Sequence, residues 1–196
     1  GTLAYYRLVE EAATMRTTEA VVGDEAIFGG RLALEGHGFS TDAFEYRQEL
    51  GVALSWRVVA PAEADYHASL RLLDAGGRTW GQYDAPLEDA LGARVTAWAA
   101  GTAHEAYLPL AIAPGTPPGA YRVELGLYRL EDLQSLTVIG AEHAPSVRYA
   151  LGTVRVRPAT APPSREELDI PHPSGAVIGD RVAVLGYALA RETVPS

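Results

Sequence analysis

The chain has 196 residues, 47% of them hydrophobic, enough for one well-buried core with extensions but not for two domains of ordinary size. Its formal charge of −9 at pH 7, with no basic patch to neutralise phosphates, argues against nucleic acid or an anionic membrane surface as partner, and no run approaches the ~18 apolar residues of a membrane span. Cysteine, lysine and asparagine are absent and all 16 basic residues are arginine, which excludes thiol nucleophiles, disulfides, thiolate zinc sites, Schiff bases and phosphate-loop lysines together.

Residues 1–23 form an N-terminal extension. Within it, residues 7–16 are good helix formers, while Gly1-Thr2-Leu3 matches Gly152-Thr153-Val154 and makes residues 1–9 a candidate last strand of a preceding repeat. A β module is expected over residues 24–157, read from period-two alternation. Leu50, Val52, Leu54, Trp56 and Val58 are apolar, with Gly51, Ala53, Ser55 and Arg57 between them. In the next segment Tyr66, Ala68, Leu70 and Leu72 point inward and His67, Ser69 and Arg71 outward. Asp74-Ala75-Gly76-Gly77 supplies turn chemistry, and residues 78–84 return as the second strand of a hairpin. A short helical turn is expected at residues 89–91.

Ala106, Leu108, Leu110 and Ile112 form a further face with Pro109 on its outer side; since proline cannot donate to a ladder, this strand is expected at a sheet edge. A Gly- and Pro-rich turn at residues 114–119 leads into Tyr121, Val123, Leu125 and Leu127. The apolar positions change parity between Leu151 and Val154, which predicts a bulge near Gly152. Short strands between Gly and Pro turns, with no sustained 3.6-residue period, predict an all-β fold: an antiparallel two-sheet β-sandwich, immunoglobulin-like or jelly-roll-like, with minor helix.

Residues 158–175 hold five of the 13 prolines and read as an extended linker. Residues 176–196 then repeat the opening of the module. At a constant offset of 150, Gly29/Gly179, Arg31/Arg181, Ala33/Ala183 and Gly36/Gly186 are identical, and four neighbouring pairs exchange one apolar side chain for another. A repeat this long is a whole domain, so 176–196 is expected to be the first strand of a truncated second repeat. Lacking partners of its own, the 176–190 strand is expected to pair with a sheet edge of this module or of a neighbouring molecule, a route to self-association.

Tyr and Trp are the candidate ligand-binding residues, because flat rings on a rigid β scaffold stack against the apolar faces of sugars. They are Trp80, Tyr83, Trp98, Tyr107 and Tyr128; Trp56, among inward residues, is assigned to the core. Aromatics of a sandwich are more often core or core rim than platform. The acidic loop residues Asp84, Glu88 and Asp89 are weak calcium candidates, for which a solvated loop is the better reading. The five histidines, at 37, 67, 104, 143 and 172, show no metal spacing, no Gly-x-Ser-x-Gly elbow occurs, and nothing points to a Ser-His-Asp triad. No catalytic residue, cofactor or metal is therefore assigned.

The motif order is informative beyond the pattern. Residues 27–36, Leu54-Ser55-Trp56-Arg57, residues 65–74, residues 77–84, Thr96-Ala97-Trp98 and residues 118–123 resemble the extracytoplasmic β-sandwich modules, here taken as C-terminal, of bacterial membrane proteins of the mannosyltransferase-like, lipid-linked-sugar glycosyltransferase type. The resemblance covers about residues 24–157, with a second start at 177. It implies an accessory role outside the cytoplasm and carries over no catalytic residue, since the catalytic acids of that family belong to its membrane part. The family's tyrosine after the glycine of the opening strand is matched by Tyr187, whereas His37 departs from it.

The expected function is a non-catalytic, extracytoplasmic accessory module, glycan-binding, of a membrane-bound sugar transferase. The alternative is a structural spacer or a protein-interaction and oligomerisation module, and the third reading is a glycoside-active hydrolase. Scarcity of heat-labile residues, with one Met, further predicts thermostability.

Overall fold

The computed structural model describes residues 26–140, 144–179 and 181–187. The helix expected at 7–16, the strand expected at 1–9 and His143 lie outside the described residues. The chain divides into two compact units, residues 1–158 and 159–196.

The first unit runs β1 (Ala26–Phe28), β2 (Leu32–Phe39), β3 (Ala43–Phe44), β4 (Glu49–Val58), β5 (Tyr66–Leu73), β6 (Thr79–Pro86), β7 (Ala103–Ala111), β8 (Gly119–Arg129), β9 (Val138–Ile139) and β10 (Tyr149–Val156). These form two five-stranded sheets, ordered β7-β4-β2-β1-β9 and β3-β10-β8-β5-β6. The fold is all-β and sandwich-like, as the alternation predicted. The apolar positions of β4, Leu50 to Val58, and those of β5 and β8 are buried together between the sheets. Each such Leu or Val contributes about 1.5–3 kcal/mol relative to an exposed side chain. Trp56 is 1% exposed and meets Phe28 edge-on at 5.4 Å between ring centroids.

Several local expectations hold. Strand β7 is an edge, with Pro109 opposite Gly51. The ladder between β8 and β10 shifts register between Ala150 and Gly152. The β5–β6 turn is held by the Asp74 carboxylate, which accepts from the backbone N–H groups of Gly76 and Arg78, while Gly77 takes φ +81°.

Two expectations are corrected, and one feature was not expected. The sheets are not wholly antiparallel, because β3 runs parallel to β10; long intervening chain separates these two, so no hairpin dictates their direction. The expected helical turn at 89–91 is a non-helical turn, since the Asp89 carboxylate accepts from Leu91 N and Ala93 N and competes with helical hydrogen bonding; a 3-10 turn follows at Val95–Ala97. A second bulge, between Leu34 and Gly36 in β2, turns His37 and Phe39 to the core side opposite Leu54 and Val52. Nothing in the alternation of that glycine-rich strand signalled it.

The second unit contains β11 (His172–Pro173), β12 (Val177–Ile178), β13 (Val182–Ala183) and β14 (Gly186–Tyr187). The repeated segment is not a lone strand: β12 and β13 close into a hairpin, and β14 pairs with β11, drawn from the segment read as linker. The hairpin reproduces that of β1 and β2 residue for residue. Ile27 pairs with Ala33 and Phe28 with Leu32; 150 residues on, Val177 pairs with Ala183 and Ile178 with Val182. Gly29 and Gly179 both sit at left-handed φ, +57° and +58°, where a Cβ is strained. Burial separates the copies, because Phe28 and Leu32 are buried while Ile178 and Val182 are 63% and 57% exposed.

Candidate functional site

The sandwich distributes the five candidate aromatics rather than gathering them. Trp98 is 2% exposed, donates its Nε1–H to Ala93 O and stacks on His104 at 4.3 Å, so it belongs to the core and offers no platform. Trp80 and Tyr83 pack against the core rim from β6. Trp80 is further tied by Nε1 to Asp74 Oδ2 at 2.7 Å and is covered by the Arg78 guanidinium, 4.1 Å from its ring centroid. Tyr107 stands opposite Ala53 on the outer face of the first sheet, whereas Tyr128 stands opposite His67 on the outer face of the second. A single patch of Trp80, Trp98 and Tyr107 does not exist.

The outer face of the second sheet is where chemistry converges. Ladder register places His67, Ser69 and Arg71 of β5 between Gln82 and Asp84 of β6 on one side and Glu124, Gly126 and Tyr128 of β8 on the other. The His67 and Tyr128 rings lie 5.5 Å apart, a small apolar platform. Burial, then the nearby Asp84 carboxylate with which it hydrogen-bonds, pushes the Tyr128 hydroxyl above the usual tyrosine range.

Arg148, from the segment before β10, completes the face. Its side chain lies flat over Gly126 and donates from Nη1 to Ser69 O at 3.1 Å and Ser69 Oγ at 3.0 Å. Glycine makes room for it, since a Cβ on Gly126 would stand 2.9 Å from Arg148 Nη1 and 3.0 Å from Val147 O. Burial, and then the like charge of Arg71, hold the Arg148 guanidinium below the ordinary arginine range, against the opposing pull of Asp84 and Glu124. Arg71 Nε is buried without a hydrogen-bond partner. Arg148 escaped sequence reasoning because it follows no strand pattern. The usable signal was Gly126, a glycine at an outward position of a central strand, which marks a close approach.

The weak calcium candidates separate in the structure. Asp84 accepts from Gln82 Nε2, Glu88 pairs with Arg94 at 3.3 Å, and Asp89 turns inward, 8% exposed. No group of three His, Asp or Glu converges among the described residues. Asp89 instead organises the β6–β7 connection: Oδ1 accepts from Leu91 N and Ala93 N, and Oδ2 meets His104 Nδ1 at 2.9 Å. Burial pushes its carboxyl up, but the hydrogen bonds from Ala93 N, His104 and Leu91 N outweigh that and hold it below the usual carboxylate range. His104 Nε2 lies 2.8 Å from Thr102 Oγ1, a chain with the connectivity of a hydrolytic triad. The hydroxyl, however, donates to Ala99 O at 2.6 Å, so its one proton faces away from the imidazole base that a nucleophile needs. The chain of bonds therefore acts as a structural clamp on the connection.

No family model matches the chain, and no curated protein matches it. Among solved structures it is similar to the C-terminal domain of Wzt, with TM-score 0.47 and 9% identity over 72% of this chain and 82% of that one. The alkylpurine DNA glycosylase AlkC of Pseudomonas fluorescens follows at TM-score 0.40 and 11% identity, over 66% of this chain and 31% of that one. A glycoside hydrolase family 2 β-glucuronidase gives TM-score 0.34 and 9% identity, over 61% of this chain and 11% of that one. The reading of the site rests on its own geometry.

Proposed function

We propose that the chain is a non-catalytic β-sandwich accessory module that binds glycan on the outer face of its second sheet. The observation that carries the reading is the Tyr128–His67 ring pair, flanked by Ser69 and Arg71 on the strand of His67 and by Gln82 and Asp84 on the neighbouring β6. A sugar offers an apolar ring face and a rim of hydroxyls, and a ring platform beside fixed donors and acceptors answers both. The family resemblance extends the proposal to an accessory part, outside the cytoplasm, of a membrane-bound sugar transferase. Among the described residues no helix is long and apolar enough to cross a membrane.

A glycan array probed with the intact chain tests the reading, with Tyr128→Ala expected to abolish binding and Trp80→Ala, whose ring is covered by Arg78, expected to spare it. Retention of binding by Tyr128→Ala overturns the assignment of this face. A second reading has its own observation: Val177, Ile178, Val182 and Tyr187 are each more than half exposed on the second unit, a surface suited to protein association or to a spacer. Concentration-dependent association that is lost on deleting residues 176–196 would favour it.

A further inference from the structure

We infer that the open edge of β6, from Gln82 to Pro86, is a docking lane for an extended peptide whose side chains alternate basic and apolar. The lane follows from ladder parity. Leu87 N donates to Tyr66 O at 2.8 Å, and hydrogen-bonded pairs alternate along an antiparallel ladder, so Ala85 with Ala68 and Tyr83 with Leu70 carry the bonds to β5. Gln82, Asp84 and Pro86 therefore turn their main-chain polar groups outward, the N–H of Gln82 and Asp84 and the C=O of all of them. Among the described residues no strand lies beyond β6 to meet them. The same parity sends Trp80 O outward, where Ala113 N meets it at 2.7 Å.

The other sheet edges are defended. Strands β3 and β9 are 2 residues long, and β9 is covered by Ser146, which exchanges both backbone bonds with Val138. Strand β7 carries Pro109, which has no N–H, and spends Glu105 O on Ala90 N. On β6 the bond from Ala113 fences one end of the lane and the departure of the chain towards β7 at Ala90 fences the other, so a short strand fits and a growing sheet does not.

The lane also states what fits it. On the outer face stands the exposed Asp84, nearer the edge than Arg71 on β5 or Arg148 over Gly126 of β8, in a chain of formal charge −9. A basic side chain opposite Asp84 makes a favourable cross-strand pair. On the inner face the half-buried Tyr83 packs at the core rim and offers apolar surface to the next residues of an added strand. A second copy of the chain fits worse. Two-fold pairing of β6 centred on Asp84 sets carboxylate against carboxylate, and pairing centred on Tyr83 lays the copy's Pro86 beside Trp80, where Ala113 already sits. Strand addition of this kind draws affinity from the main chain and selectivity from alternate side chains.

The test is an NMR amide titration of the full chain, at low salt, with the end-capped peptides Thr-Val-Arg-Val-Thr and Thr-Val-Glu-Val-Thr, and with the first peptide N-methylated at its arginine. The arginine peptide is expected to shift the Gln82 and Asp84 amide signals and to bind about two- to fivefold tighter than its glutamate counterpart. Gln82→Pro removes an outward N–H and no bond to β5; it is expected to weaken binding about threefold to tenfold at a similar melting temperature, and N-methylation to do the same from the peptide's side. Asp84→Asn should erase the charge preference. Shifts that fall elsewhere, or binding indifferent to both Gln82→Pro and N-methylation, overturn the lane, and equal binding of the two peptides overturns the basic partner. A concentration-dependent dimer of the chain alone, lost in Gln82→Pro, gives the edge to a second copy and overturns the peptide. Failure of both peptides to bind at millimolar concentration overturns the proposal as a whole.

Discussion

At the scale of single residues, Gly126 and Asp89 hold their neighbourhoods through different physics. Gly126 acts by lacking atoms. We predict that Gly126→Ala forces Arg148 off Ser69 and strains Val147, with a stability loss of about 1–3 kcal/mol, the usual range for overpacking, measurable by denaturant unfolding. Asp89 acts by accepting hydrogen bonds from Leu91 N, Ala93 N and His104 in a nearly dry place. Asp89→Ala leaves Leu91 N, Ala93 N and His104 without that acceptor and should cost about 2–4 kcal/mol, while Asp89→Asn should cost less because one amide oxygen still accepts. Thr102→Val offers a separate discrimination: a structural clamp predicts only a modest drop in melting temperature, whereas loss of a hydrolytic activity towards a glycoside or ester substrate would revive the hydrolase reading.

At the scale of elements, the strands whose two faces differ were legible and the elements shaped by bonds to side chains were not. Leu50 to Val58 and Tyr121 to Leu127 declare themselves because every second residue faces the core and each misplacement would bury a polar group. The β2 bulge and the turn at Asp89 were hidden, since the first lies where the strand runs into Gly36 and Gly38 and the second depends on a carboxylate finding His104, 15 positions on in the chain. The candidate site was half legible: His67, Ser69 and Arg71 were read as outward and Tyr128 as a candidate ligand-binding ring, but Arg148 joins from outside any strand. One contact between sheets shows how tightly backbone is placed. Trp80 O accepts from Ala113 N at 2.7 Å, and a Cβ on Gly81 would stand 2.4 Å from Ala111 O. Since backbone cannot swing aside as a side chain does, Gly81→Ala is expected to cost more than Gly126→Ala and to loosen the β6 edge, seen as faster amide exchange at Thr79–Pro86.

At the scale of the molecule, the shifted groups that titrate between pH 8 and pH 3, namely His37, Asp65, Asp74 and Asp89, all push stability the same way with pH. Burial lowers the affinity of His37 for its proton, against a hydrogen bond with the Leu151 backbone, so the unfolded chain takes that proton more readily. Its stabilising share is present above the ordinary histidine value of about 6.5 and is lost as pH falls through the lower folded value. Asp65, held down first by the Thr96 hydroxyl, Asp74, held down first by Trp80 Nε1, and Asp89 add a second loss below about pH 4. Denaturant midpoints measured between pH 8 and pH 3 should fall in two steps, and His37→Gln should remove the first. A melting temperature above the ordinary mesophile range is further expected from the composition; a midpoint near 50 °C would count against it.

The paired hairpins carry a consequence for how the chain acquires its shape. Because β12 and β13 hold the register of β1 and β2 although Ile178 and Val182 stand exposed, closure of this hairpin is instructed by its own few residues, above all the glycine at the turn. Contacts so near in sequence form on the scale of ~1–10 μs, long before strands such as β4 and β7 or β5 and β8 can find each other across the chain. The segment 26–34 is thus suited to be an early folding seed, and Gly29→Ala should slow refolding of the sandwich by about as much as it destabilises the native state, a kinetic signature that a late-closing strand would not give.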